Sequence, residues 1–136
     1  MIRPATEDDL PQIVEIVRGF HGEANQPQEF DENDMWNFMA GMIGLHDAIV
    51  LMSGNGFICG IVTPSPVNQK WKIAMELCWY ARDMSGFKLL REFENTAKEM
   101  GVSEIRISHR ATTPKVGRYL NSKGYRHDET VHTRIV

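Results

Sequence analysis

The sequence predicts an α/β (α+β) fold: a mixed, mostly antiparallel twisted sheet flanked by helices, in a single domain spanning residues 1–136. Three observations carry this. First, WKIAMELCWY from Trp71 to Tyr80 alternates with a period of two, as a strand does. Trp71, Ile73, Met75, Leu77 and Trp79 point one way, and Lys72, Ala74, Glu76, Cys78 and Tyr80 the other. Second, the period changes at Gly86. Phe87, Leu90, Phe93 and Ala97 line one helical face, charged residues fill the other, and Gly101 stands where a left-handed cap residue belongs. Third, Ser103 to Ser108 (SEIRIS) alternates again, and a helix between two adjacent strands implies that they run parallel.

The remaining elements follow in order. Ile2 to Thr6 reads as a short first strand. Thr6, Asp8 and Asp9 offer caps and Pro11 suits a first turn, so Leu10, Ile13, Val14, Val17 and Phe20 make an amphipathic helix ending near Gly19 to Gly22. Glu23 to Phe30 is a polar loop. A second helix runs from about Asp31 to Leu45 on Met35, Phe38, Met39, Met42 and Ile43, with Trp36 off that stripe. Ala48 to Ser53 is a strand, and Ser53-Gly54-Asn55-Gly56 is a hairpin turn because Gly and Asn tolerate positive φ. Phe57 to Thr63 returns, and Thr63-Pro64-Ser65-Pro66 breaks it before the strand at Trp71. Pro114 to Ser122 is a short helix, Gly124 turns it, and Tyr125 to Val136 is expected to supply one or two closing strands. The order is β-α-α-β-β-β-α-β-α-β.

Composition narrows the function. The chain is 42% hydrophobic and 24% charged, values of an ordinary globular domain with a real core. A net charge of -3 argues against a nucleic-acid partner. Cys59 and Cys78 fall in expected strands without metal-type spacing and read as reduced, buried thiols, which fits a cytoplasmic location. The opening MIRPATEDDL does not read as a signal peptide, and no apolar run reaches transmembrane length. The five histidines show no HxxxH or HxH spacing, so no metal site is expected. The loop before the long helix, with Ser85 and Gly86, aims several backbone N–H groups at one point. Such a start is a natural anion site, although most strand–loop–helix units bind nothing.

IRPATEDDLPQIVEI, the ELCWY strand, GFKLLREFENTAKEMGVSEIRI and RYLNSKGYR, taken in this order, resemble the GNAT family of acyl-CoA-dependent N-acetyltransferases over nearly the whole chain. The pattern is close to small acetyltransferase-like proteins met in bacteriophage genomes. The resemblance implies a bulged central strand that splays from the next, with the pantetheine arm of acetyl-CoA in the gap. By position it puts pantetheine on the backbone of Leu77, Cys78, Trp79 and Tyr80, and the pyrophosphate on Arg82, Asp83, Met84, Ser85, Gly86 and Phe87. It makes Glu76 the general base that deprotonates an ammonium substrate. A partly exposed strand residue paired with Lys72 is the plainer reading of Glu76.

Two departures stand out. Met84 occupies the place of the family's first loop glycine, in a loop that looks short. Leu120 occupies the place of the usual thiolate-protonating tyrosine, with Tyr119 one residue earlier as candidate general acid and Tyr80 as a substitute. His109 follows the fifth strand, His21 ends the first helix, and Lys115, Arg118 and Arg110 could meet adenosine phosphates or form a solvated basic face. The expected partner is a small-molecule or peptide amine acceptor, with no nucleic acid and no membrane. A homodimer through the closing strands is compatible with the sequence but required by no motif. The second function class is a GNAT-fold binding or virion-associated protein without turnover, which Met84 and Leu120 favour.

Overall fold

The structure is a computed structural model describing residues 1–136. Five strands, β1 (Arg3–Pro4), β2 (Ala48–Met52), β3 (Gly56–Pro64), β4 (Lys72–Ala81) and β5 (Glu104–Arg106), form one sheet in the order β1-β2-β3-β4-β5. The first three junctions are antiparallel and β4–β5 is parallel. Helices α1 (Leu10–Ala24), α2 (Glu32–Ile43), α3 (Ser85–Glu99) and α4 (Pro114–Ser122) cover it. No helix is long and apolar enough to cross a membrane.

The interior is two clusters, one on each face of the sheet. Leu10, Ile13 and Val17 of α1 and Met39 and Met42 of α2 pack on Val50, Met52, Phe57 and Cys59. Leu89, Leu90, Phe93 and Ala97 of α3, with Leu120 of α4, pack on Ile49, Leu51, Ile58, Val62 and Ala74. Alternation along β2 and β3 thus feeds both clusters, and the sheet is apolar on both sides as a covered sheet must be. A buried carboxylate fastens the first strand: Asp9 accepts from both terminal nitrogens of Arg3 at 2.7 Å and from the Thr6 amide at 2.8 Å. The Arg3 pairing holds the Asp9 carboxyl at about 2, below its ordinary value.

Several boundaries differ from expectation. Helix α1 runs on to Ala24 and stops at Asn25, a left-handed residue with φ 50°, because Gly19 and Gly22 do not break a helix by themselves. Helix α3 starts at Ser85, so the loop from β4 is only Arg82 to Met84. Gly101 and Gly124 take positive φ, 78° and 90°, as turns after helices demand. The closing strands do not form. Tyr125 to Val136 carries no strand, and Arg126, Asp128 and Glu129 lie near Glu104 and Arg106 as charges rather than as ladder partners. Trp36 is exposed on the surface of α2.

The single alternation expected along β4 also fails. Cys78 pairs with Cys59 and Glu76 with Gly60, so Leu77 is an extra residue, a β-bulge. Ala74 joins the α3 cluster whereas Cys78 and Tyr80 pack against the α1–α2 cluster, and Trp79 and Ala81 now face α3. The bulge reverses the faces of everything after it.

Gly41, inside α2, has nothing within 4 Å of the position a Cβ would take. Gly41→Ala should therefore raise the unfolding free energy by about 0.5–1 kcal/mol through backbone entropy alone. A chemical-denaturation midpoint that stays put or falls would refute that reading of the position.

Candidate active site

Strand β4 pairs with β5 only over Ile73–Met75 against Glu104–Arg106. Beyond Met75 the two strands part, and Glu76 to Ala81 have no neighbour on that edge. Glu76 sits at the fork. Its side chain accepts from the Ser108 amide at 3.2 Å and from the Ser108 hydroxyl at 3.3 Å, taking the place that the next ladder bond would occupy. The residue is 8% exposed. Burial pushes its carboxyl up to about 7, against the Ser108 hydrogen bonds, which pull it down.

Cys78 and Tyr80 follow the bulge, close enough to Glu76 for its charge to act on both. Burial, followed by the Glu76 charge, raises the Cys78 thiol to about 11, and Cys59 opposite it rises to about 12. Thiols this far above neutrality are inert packing groups. Tyr80 is also raised, by burial first, and stacks between Phe20 at 5.0 Å and Phe57 at 5.8 Å. Cys78 and Tyr80 form the strand wall of an open cleft of about 840 Å³ between the sheet, α1, α2 and the segment after β5. Phe20, His21 and Phe30 line it from α1 and the loop that follows, and Arg110 from the far side. The Nε2 atom of His21 is buried and has no hydrogen-bond partner.

At the other end of the open edge lies the start of α3. The Ser85 amide donates to Asp83 at 2.9 Å, and Asp83 also accepts from Asn55 at 3.0 Å. The bonds from Ser85 and Asn55 hold the Asp83 carboxyl at about 2. The Ser85 hydroxyl meets Ser53 at 2.8 Å. The amides of Gly86 and Phe87 belong to the first turn and have no intrahelical acceptor. The helix start thus has free donors, but its nearest anion is already one of its own side chains.

The structure sorts the expected residues. Leu77, Trp79 and Tyr80 stand on the open edge and Met84 is exposed beside it. Trp79 Nε1 donates to the Gly86 carbonyl at 3.0 Å, and a Cβ on Gly86 would lie 3.3 Å from that of Ala81. Gly86 therefore permits close packing of α3 on β4. The Arg82 side chain turns away to α1, pairing with Glu23 at 2.9 Å and covering Phe20 at 4.5 Å. Tyr119 stacks on Phe87 with ring centroids 4.1 Å apart, beside the α3 start, while Leu120 is buried in the core. His109 lies against Gly117 of α4 and not in the cleft.

The parts played by Ser108, Gly60 and Asn55 were not anticipated. Ser108 was within reach of sequence reasoning as the last residue of SEIRIS, but its partner depends on the β4–β5 register.

A parallel fork at a bulged fourth strand, closed by a helix that starts at the open edge, is the arrangement that the GNAT resemblance implies. No family model and no curated protein matches the chain. Among solved structures it is similar to a putative acetyltransferase from Agrobacterium tumefaciens, with TM-score 0.78 and 15% identity over 100% of this chain and 99% of that one. It is equally similar to a protein described as a transcriptional regulator from Bacillus halodurans, with TM-score 0.78 and 18% identity over 99% of both chains. An aminoglycoside 6'-N-acetyltransferase from Acinetobacter haemolyticus matches with TM-score 0.74 and 15% identity over 100% of this chain and 97% of that one. At these identities the likeness is one of fold.

Proposed function

We propose that the chain is an N-acetyltransferase that moves acetyl from acetyl-CoA to a primary amine of a small molecule or peptide. The observation that carries this reading is Glu76: a buried carboxyl held at about 7, at the fork of the sheet and two residues along β4 from Cys78, which lines the open cleft. No cation pairs with Glu76; its donors are the Ser108 amide and hydroxyl.

The open edge of β4 offers main-chain donors and acceptors to the amides of pantetheine, and the Gly86 and Phe87 amides offer donors to pyrophosphate. Glu76 takes a proton from the acceptor ammonium. The freed amine attacks the thioester carbonyl carbon and the C–S bond breaks; the thiolate takes a proton from a tyrosine, for which Tyr119 and Tyr80 are the candidates, and the surplus proton on the new amide nitrogen returns through water to that tyrosine, while Glu76 releases its own to solvent. The cytoplasm is the expected compartment, and a bacteriophage source remains the finer form of the resemblance.

Asp83 favours a second reading, a GNAT-fold binding protein without turnover, because its carboxylate sits where pyrophosphate would be held. Acetyl-CoA calorimetry separates the two. Asp83→Asn keeps a capping oxygen for Ser85 and removes the charge. It should tighten acetyl-CoA binding several-fold at low salt, and the gain should shrink as salt rises. Binding by neither protein would favour the non-catalytic reading.

A further inference from the structure

The loop from β4 into α3 is tied to α1 by one side chain. The loop is Arg82, Asp83 and Met84. Its backbone is pinned to the β2–β3 turn: the Arg82 amide donates to the Asn55 carbonyl at 3.0 Å, and the Asn55 side chain donates to Asp83 at 3.0 Å. The Arg82 side chain leaves the loop and crosses to α1. Its guanidinium pairs with Glu23 at 2.9 Å and lies over the Phe20 ring at 4.5 Å. It rests on Gly19, where a Cβ would overlap its Nη2 atom, and nothing but Arg82 lies within 4 Å of that position. Phe20 and Glu23 both line the α1–α2 cleft. The apolar clusters under α1 and α3 lie on opposite faces of the sheet, so this contact is a polar link between the start of α3 and the wall of the cleft.

The link is weakly held. The Arg82 and Glu23 side chains are 43% and 63% exposed, and an ion pair so open to water contributes little, as does a cation over a surface ring. A phosphate group offers the same guanidinium a bidentate, charge-assisted partner, which is stronger than either. With Arg82 turned to α1, Asp83 is the charged side chain left on the loop, beside the free amides of Gly86 and Phe87.

We infer that Arg82 is a two-position latch. In the arrangement seen here it clamps the last turn of α1 through Glu23, Phe20 and Gly19. The diphosphate of acetyl-CoA at the start of α3 draws it back to the loop and releases that turn, and with it one wall of the cleft. The device rests on the acetyltransferase reading for its ligand. Each position has its own partners, so whatever favours one weakens the other, and the coupling acts in both directions. Only the side chain moves, because the loop backbone stays bonded to Asn55. In the released position Arg82 offsets the Asp83 charge, and Glu23 becomes an unpaired carboxylate of the cleft lining.

Calorimetry with acetyl-CoA and with inorganic pyrophosphate tests the latch on the full chain, together with amide hydrogen exchange along α1. Glu23→Gln removes the competing carboxylate and should tighten binding of both ligands about two- to fivefold, the range set by exposed ion pairs. Gly19→Ala changes no charge, fills the seat of the guanidinium and favours the helix, so it should tighten both as well. In an Arg82→Gln background neither substitution should change either affinity. On addition of pyrophosphate, the amides of Phe20 to Ala24 should exchange faster in the unmodified protein and at an unchanged rate in Arg82→Gln. Affinity indifferent to either substitution, in variants that melt cooperatively, would overturn the latch. So would gains that persist in the Arg82→Gln background, since Arg82 would not carry them. Tight acetyl-CoA binding with no change in exchange along α1 would overturn the latch and uphold the acetyltransferase reading. Coupled pyrophosphate binding without acetyl-CoA binding would support the latch and overturn that reading.

Discussion

Replacing Glu76 by glutamine is expected to lower kcat/KM for an amine acceptor by about 10²–10⁴-fold, the usual cost of losing a general base. The unmodified protein should show kcat/KM rising with pH and levelling off above about 7, the value to which burial pushes this carboxyl. The variant should lack that limb, and its deficit should shrink at high pH, where free amine is abundant. Stability should move in the opposite direction. Because the folded value of about 7 lies above the ordinary 4.5, the folded protein between those limits holds a proton that the unfolded chain has released. Stability therefore falls as pH rises through that window. The loss is about 3 kcal/mol by the pKa difference, and Glu76→Gln should abolish the slope. Glutamine keeps an oxygen for the Ser108 amide, so the comparison isolates the charge. Identical pH–rate profiles for the two proteins would remove Glu76 from the mechanism. A stability curve that rises between pH 5 and 8 would contradict the burial argument.

Gly60→Ala should be among the most destabilising single-methyl additions in the molecule. A Cβ there would lie 2.6 Å from two ring carbons of Phe93 and 2.6 Å from the Met75 carbonyl oxygen. Phe93 is fully buried at the centre of the α3 cluster, and the carbonyl belongs to the strand opposite, so neither yields cheaply. Overpacking of this kind costs about 1–3 kcal/mol or more. Gly60 also faces the bulged pair of β4, so the displaced strand carries Glu76 with it. Activity should fall beyond what the folded fraction explains. Gly54→Ala, in an open turn with nothing within 4 Å of the added carbon, is the control and should change stability by less than about 0.5 kcal/mol. Equal denaturation midpoints for the two variants would show that β4 can shift away from Gly60 without penalty.

The β4–α3–β5 unit was legible because its signals are local. A period of two gave way to a helical stripe and back within forty residues, and the parallel pairing followed from handedness and connection length. The bulge was not legible. Helices cover both faces of the sheet, so apolar residues are acceptable on either side of β4, and WKIAMELCWY alternates smoothly through a reversal of faces. The closing strands expected from Tyr125 to Val136 do not form, since VHTRIV favours strand only where an edge receives it. The three-residue β5 instead meets Arg126, Asp128 and Glu129 through charge. Within the site, Glu76 was singled out by position, but its Ser108 partner is 32 residues away and depends on register. Gly86 was singled out as part of the anion-facing loop; its close approach to Ala81 and Trp79 is a packing fact that the sequence alone does not carry.

The two apolar clusters on opposite faces of the sheet have a bearing on how such a chain diversifies. The open cleft, where we propose the acceptor binds, draws its walls from α1, α2 and the α1-facing side of β4, while the α3 start rests on the other cluster. Side chains that share no partners contribute nearly independently to stability. The lining of the cleft can therefore drift through changes on α1 and α2 while the packing of α3 is inherited intact. One half of the domain is free to explore and the other to conserve.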